Sequence, residues 1–483
     1  MKSYFKYITA ITILGMTGIG AISAPKAKTN GGKTIDEIEL MIRRGALEEA
    51  YSALDSASAA QPKNAQVDLL KGKYYVAKND DANARKAFEE AHRKGSNDAL
   101  LSLAEIAVRE YRVDDADSDI EAYKAYIAKN KRKKLVDNSA DIASQLTRTR
   151  SMLDRVEKIV VFDSITVDKE AFLKAYRLSP ESGKLGTPGD LLPEGIEYSE
   201  PTVVYCTEDG REMMWGAQNE ESIFTLRSVH RLADNTWEQQ ANVGDHLGEG
   251  YDANYPFLMP DGVTLYFASD NAESLGGLDI FVSRNNGTEY LQAQNVGMPY
   301  NSPYDDYMLA IDELTGVGYW ASDRNRLGDK VTIYMFKPSA SRVNVDLDDP
   351  TLARRASLHS IRDTWPADAD FSDIRRALDA VQRGEKQGSP QFELSLPDGR
   401  VLTRYAQFTS QQASELMEQY QSLRAATDAA RARLSQLRVR YGQGDTSVGS
   451  EILVMENDMA EAEAQLRRMA NDVVRAEMGG NVK

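Results

Sequence analysis

The residues of this chain best suited to chemistry are aspartates that return at a regular interval. Asp209 and Asp261 each precede a glycine, Asp252 and the pair Asp305-Asp306 each follow a tyrosine, and Asp279 closes a Gly-Gly-Leu-Asp run. Carboxylates converging from several such positions on one channel could hold a cation or a sugar. The Asp-Gly pairs, however, are what a tight turn between strands requires. Structural caps and strand-end hydrogen bonds account for the other aspartates without catalysis. The four histidines (His92, His230, His246 and His359) are scattered, and none has the His-Glu-x-x-His spacing of a helical metal pair. Each reads as a surface or packing residue. Asp445-Thr-Ser447-Val-Gly449 lacks the first glycine of a nucleophile elbow, and no histidine follows it. Gly32-Lys33-Thr34 ends like a phosphate loop, but Ala27 stands where the first glycine belongs. Asp115-Ala-Asp117-Ser-Asp119 begins like a calcium loop, yet Ile120 replaces its glycine and Tyr126 its final glutamate. The basic run from Lys129 to Lys134 reads as a solvated helix end. These patterns predict no catalytic residue, no cofactor and no metal.

The aspartates are carried by a repeat. Glu197–Ala217 reads EYSEPTVVYCTEDGREMMWGA, Tyr251–Ser269 reads YDANYPFLMPDGVTLYFAS, and Tyr304–Ser322 reads YDDYMLAIDELTGVGYWAS. The aromatic ends Trp215, Phe267 and Trp320 lie 52 and 53 residues apart, and Asn-Val-Gly triplets at Asn242 and Asn295 keep the same interval. A period near 50 built from short aromatic and β-branched runs is the signature of β-propeller blades. From Lys158 to Ala406 there is room for four or five blades at about 50 residues each. Ile159-Val-Val-Phe and Ile165-Thr-Val suggest a degenerate opening blade, and a hairpin is expected at Phe392–Phe408 around Pro397-Asp398-Gly399. The sequence does not decide the fold of residues 343–390.

Helical periodicity precedes this region. Ala50, Leu54, Ala57 and Pro62 recur 34 residues later as Ala84, Phe88, Ala91 and Ser96, with Gly72 and Tyr75 ahead of the second set. Small residues at fixed points let paired helices cross closely. A third, degenerate unit over 99–129 has Ala122 and Tyr126 as its anchors. At the other end, two runs advance in alternating steps of four and three. One passes through Leu416, Tyr420, Leu423, Thr427, Ala430, Leu434, Leu437 and Tyr441, the other through Ile452, Met455, Met459, Ala462, Leu466, Met469, Val473 and Ala476. This is an a/d seam written twice around a Gly/Ser/Asp turn, and it predicts an antiparallel coiled-coil hairpin. Thr409 and Gln412 form its expected capping box.

A length of 483 residues implies several domains. Net charge of −16 argues against nucleic acid as a partner. Lys2 and Lys6 precede an uncharged run from Ile8 to Ala24 that ends in small residues, which predicts a secretory signal peptide over 1–24. No cysteine follows that run to carry a lipid, so no N-terminal lipid anchor is expected. The single cysteine, Cys206, sits in a strand and reads as a small buried hydrophobe. An exported chain without disulfides fits a bacterial cell envelope.

The expected fold class is therefore a multidomain α+β chain: an N-terminal α-helical solenoid over 35–154, a central β-propeller-like all-β domain over 158–406 with clear repeats at 197–336, and a C-terminal antiparallel coiled coil over 409–478. The helical units, with Gly72, Tyr75, Ala84, Phe88 and Ala91 in place, resemble tetratricopeptide repeats. Asp261-Gly-Val-Thr-Leu-Tyr-Phe-Ala-Ser269, Gly276-Gly-Leu-Asp-Ile-Phe-Val-Ser-Arg284 and Asn295-Val-Gly-Met-Pro-Tyr-Asn301 resemble the PD40 (WD40-like, TolB-type) β-propeller repeat. The combination is similar to exported envelope proteins of Bacteroidetes. That resemblance implies a periplasmic or outer-membrane-associated role in protein–protein interaction, with peripheral membrane association. It also implies a peptide-binding inner face at Gln66, Leu69, Lys73 and Val76. Envelope proteins or a second copy of the chain are the expected partners, met through the helical surfaces and the seam. A carbohydrate-binding protein or enzyme using the propeller channel, and a structural subunit of a secretion or motility machine, are the alternatives.

Overall fold

Thr34, which ended the apparent phosphate loop, opens the first helix. In a computed structural model of the chain its hydroxyl accepts from the Glu37 N–H, and the Glu37 carboxylate accepts from the Thr34 N–H at 2.7 Å, a reciprocal cap. The structure describes residues 33–130, 135–382 apart from 233, 245, 249 and 340, then 392, 394–397, 401–402, 408, 410–442 and 445–479. The expected signal peptide and most of the 129–134 basic run lie outside them. The described chain falls into two compact units, divided after Glu385.

The first unit begins with seven helices: α1 (Ile35–Arg43), α2 (Leu47–Ala60), α3 (Ala65–Ala77), α4 (Asp81–Arg93), α5 (Asp98–Arg109), α6 (Val113–Lys129) and α7 (Ala140–Leu153). Side chains of Asn64 and Asp80 cap α3 and α4. The 34-residue spacing places Ala50, Leu54 and Ala57 in one core and Ala84, Phe88 and Ala91 in the next, each almost wholly buried. Gly72 shows why the spacing matters. A Cβ there would overlap the Phe88 ring, so only glycine lets α3 meet α4 this closely. The third unit departs from the expectation. Ala116, Ile120 and Tyr123 are its buried anchors, and Ala122 is exposed. They stand 32 residues after Ala84, Phe88 and Ala91, so this unit is two residues shorter than the one before.

Strands follow. β1 (Val160–Asp168) is separated from the rest by a 3-10 segment, Lys169–Ala175. The next sheet runs β2 (Lys184–Gly186), β3 (Val204–Cys206), β4 (Glu212–Gln218), β5 (Phe224–His230), β6 (Ala241–Asn242), with the short helix α8 (Pro188–Leu191) between β2 and β3. A second sheet is the antiparallel meander β7 (Ala253–Leu258), β8 (Thr264–Ser269), β9 (Asp279–Arg284), β10 (Gln294–Asn295). The third is β11 (Asp306–Asp312), β12 (Val317–Ser322), β13 (Lys330–Lys337), completed on its outer side by β1, which pairs antiparallel with β13 at Ile165 and Ile333. The three sequence repeats are thus the strand pairs β3-β4, β7-β8 and β11-β12. Trp215, Phe267 and Trp320 occupy the second strand of each. Their turns are Asp-capped as expected: Asp261 Oδ1 accepts from the Val263 and Thr264 N–H groups at 2.8 Å. Rings from all three sheets, including Tyr205, Phe257, Phe281, Tyr307 and Tyr319, share one apolar core.

Three sheets of four or five strands stand where four or five blades were expected. The supposed opening blade supplies only β1 to the last sheet, because its strand finds an unpaired edge at β13. Beyond β13 the chain turns helical in α9 (Leu352–Ser357) and α10 (Ser372–Gln382). Thr364 and Trp365 bond the Val161 backbone, which covers the exposed edge of β1.

The second unit holds the expected hairpin, β14 (Leu394–Ser395) with β15 (Val401–Leu402), and two long helices, α11 (Gln411–Gly442) and α12 (Gly449–Glu477). Phe392, Leu396 and Leu402 pack with Met417 and Val473, so this hairpin belongs with the long helices and not with the sheets, as 158–406 had implied. Thr409 lies outside the described residues. Ser410 caps α11 instead, its hydroxyl accepting from the Ala413 N–H at 3.2 Å. The helices run antiparallel, with Ser410 N–H bonded to Glu477 at one end and Arg438 paired to Glu456 at 2.7 Å near the other. Among the described residues no helix is long and apolar enough to cross a membrane.

Candidate functional site

The face of α3 expected to hold a peptide is largely committed to the fold. Gln66 is exposed in the first turn. Leu69 is buried against Ala84, Phe88, Ala91, Ala99 and Ile106, so its place on the presented face is corrected: the same stripe that faces inward on α3 also meets α5. Lys73 donates to Glu39 of α1 at 2.8 Å. Val76 is half-buried, and its carbonyl accepts from Arg326 at 3.2 Å.

Arg326 comes from the loop between β12 and β13, and it fastens the sheets to the helices. Its guanidinium donates to Asp81 at 2.7 Å, and Asp81 accepts from Arg109 of α5 at 3.0 Å. Burial pushes the Asp81 carboxyl up, but the two guanidinium groups outweigh it and hold the carboxyl below its ordinary value. Asn79 returns a bond to the Arg326 carbonyl at 3.2 Å, and the Arg326 guanidinium lies over the Tyr304 ring at 5.6 Å. An apolar layer backs this relay, formed by Tyr111, Met152, Leu153, Val156, Leu275, Met298, Val345 and Ala356. Beside the relay a cavity of about 370 Å³ opens between the helices and the sheets. Arg109, Glu110, Tyr111, Tyr304, Arg324 and His359 are among its walls.

Sequence reasoning passed over these residues, although a signal existed. After Ser269-Asp270 the second repeat reads Asn-Ala-Glu, and after Ser322-Asp323 the third reads Arg-Asn-Arg. Two arginines at a repeat end where its neighbour has none mark a place with an added task.

The recurring aspartates lie at strand ends and each gives at least one oxygen to the chain, while the other oxygen of Asp279, Oδ1, is buried without a partner. Asp252 Oδ1 accepts from the Phe224 N–H at 2.8 Å, and Asp305 Oδ1 accepts from the Leu278 N–H at 3.0 Å. Each bond joins one sheet to the sheet before it. Asp279 accepts from the Leu275 N–H and the Asn295 amide, and Asp306 from Ser302 and, at 2.9 Å, from Arg324. Burial pushes the carboxyls of Asp252, Asp270, Asp279 and Asp305 above the usual range. Burial also raises Asp323 to about 6 against the pull of its partner Lys169. Between β7 and β11, the rings of Phe172, Tyr176, Tyr255 and Tyr307 fill the space where the sheets approach. Among the described residues no group of three or more His, Cys, Asp or Glu side chains could hold a metal.

In the second unit, the predicted seam lies between α11 and α12. Leu434, Leu437 and Met459 are buried, and Leu416 and Tyr420 pack on the small hairpin's core. Leu423, Ile452, Met455, Leu466 and Met469 are only half-buried, because each helix of a pair covers its partner from one side. Tyr441, expected in the seam, is 49% exposed. Val439, Leu453 and Val454 are likewise exposed near the turn end of the hairpin, so that each helix leaves two large apolar side chains there uncovered.

Comparison with protein-family models, with curated proteins and with solved structures finds no match for this chain.

Proposed function

We propose that this chain is a non-enzymatic scaffold or adaptor of the bacterial cell envelope, exported by its N-terminal segment and working through protein–protein contacts. In this reading the helices form a tetratricopeptide-like array. The three sheets are blades of a small PD40-type propeller, a reading supported by their repeated strand order and by the pairing of β1 with β13, which ties the first strand of the region to its last. The strand-end aspartates support a recognition platform over a sugar-binding or hydrolytic site, since Asp252, Asp279 and Asp305 each hold a backbone N–H group with one oxygen.

The observation that carries the proposal is the exposure of large apolar side chains near the turn of the long hairpin. Leu453 is 64% exposed, Val454 58%, Val439 57% and Tyr441 49%. Large apolar side chains left exposed near one end of a helical pair, among the ion pairs Arg438–Glu456 and Arg433–Glu451, support a surface that a protein partner covers. Leu453→Lys with Val454→Lys alters this exposed surface without touching the seam. The double variant is expected to keep wild-type helicity and to lose the protein partners that the full chain recovers from its native envelope. Recovery of the same partners in the same amounts by both proteins would remove the assembly role.

A further inference from the structure

The three sheets repeat one cross-strand pair, and the first sheet departs from it. Phe281 stands opposite Phe267 in the second sheet, and Tyr334 opposite Trp320 in the third. The rings of each pair stack, with centroids 6.1 and 4.9 Å apart, in a core shared with the sheet before: Phe267 and Phe281 with Leu226, Trp320 and Tyr334 with Ile280. In the first sheet the residue opposite Trp215 is Arg227. Among the described residues, Trp215 shares its core only with its own sheet and with Leu191, Leu192, Ile196 and Trp237. On this face, where the other two sheets meet a neighbour, a cavity of about 410 Å³ opens, lined by Arg227, Ala217, Gln218 and the segment from Ile196 to Ser199. Arg227 is half-buried, yet among the described residues it has no ion pair, no hydrogen bond and no stacked ring. A guanidinium drawn partly out of water with no anion to hold is an open anchor for one.

We infer that this cavity binds an acidic sugar, a hexose ring that carries a carboxylate, with the carboxylate on Arg227 and the ring against Tyr198. A guanidinium presents a planar fork of donors that a carboxylate matches with two parallel bonds. Other groups in the wall suit hydroxyls. Ser199 Oγ accepts from the Gln218 N–H at 3.1 Å and keeps its own proton to donate. The Glu197 side chain is exposed and has no partner among the described residues, so its carboxylate is free to accept. A plain aliphatic acid would use neither. Tyr198 is 47% exposed and offers a ring face to the C–H face of a sugar. A volume of about 410 Å³ holds one or two sugar rings. The inference uses none of the strand-end aspartates and does not depend on the scaffold role, because it concerns a small ligand on the outer face of the first sheet.

Saturation-transfer NMR of the full-length chain with D-glucuronate, D-glucose and propionate, one at a time, tests it. The expected result is saturable transfer to glucuronate, with glucose and propionate each weaker by about tenfold or more. Arg227→Gln removes the charge and is expected to weaken glucuronate by about tenfold and to abolish its preference over glucose. The thermal midpoint should not fall, because Arg227 holds no partner in the fold. Tyr198→Ala, at an exposed side chain, is a second variant expected to weaken glucuronate while keeping that preference. Absence of saturable transfer to glucuronate, glucose or propionate binding as tightly as glucuronate, or wild-type affinity in both variants would each overturn the assignment.

Discussion

Single residues at the sheet ends carry charge into the protein and make its stability depend on pH. Asp323 is held near 6, against about 3.9 for an unfolded aspartate, because burial outweighs Lys169. Between those values the folded chain holds a proton that the unfolded chain has released. The stabilisation is therefore full below about pH 4 and is lost as pH rises through about 6. Asp305, Asp306 and Lys169 face the same group and contribute to the slope. Asp323→Asn should flatten the fall in stability of the first unit between these limits by on the order of 1–3 kcal/mol, read from urea midpoints at several pH values. An unchanged slope would place the effect on its neighbours.

At the scale of elements, helix pairs and strand pairs were legible because their periods differ. Ile38, Ala50, Leu54 and Phe88 sit where a period near 3.6 puts them, and the aromatic ends of the repeats sit on matching strands. Element boundaries were less legible where a strand found a partner outside its own repeat, as β1 did at β13. Gly72 is the sharpest case of an element held by one residue. Gly72→Ala places a methyl group within the Phe88 ring's space, and the overpacking should cost about 1–3 kcal/mol. A thermal melt of the variant checks this, and wild-type stability would mean that α3 and α4 can separate without penalty.

On the scale of the whole molecule, the helices and sheets of the first unit are joined by a charged relay in front and an apolar layer behind. Arg326→Ala removes the relay's link to Val76 and half of the partners of Asp81. We expect faster amide exchange in α3 to α5, by about 1–2 kcal/mol of local opening, while the strands keep their protection. Uniform loss of protection across helices and strands would instead mean that the relay alone makes the unit cooperative. This junction is where sequence reasoning fell short. Leu69 and Val76 have the spacing of a presented face, but Leu69 is covered by the neighbouring helices and the carbonyl of Val76 is taken by Arg326, about 250 residues away.

The order of elements, the repeat of strand-end aspartates and the seam of the hairpin follow from the chain itself, because each rests on spacing within a few residues or on a repeated interval. The pairing of β1 with β13 and the docking of Arg326 on Asp81 and Val76 belong to tertiary structure alone. Each brings together residues more than 150 positions apart, and no local period encodes such a meeting.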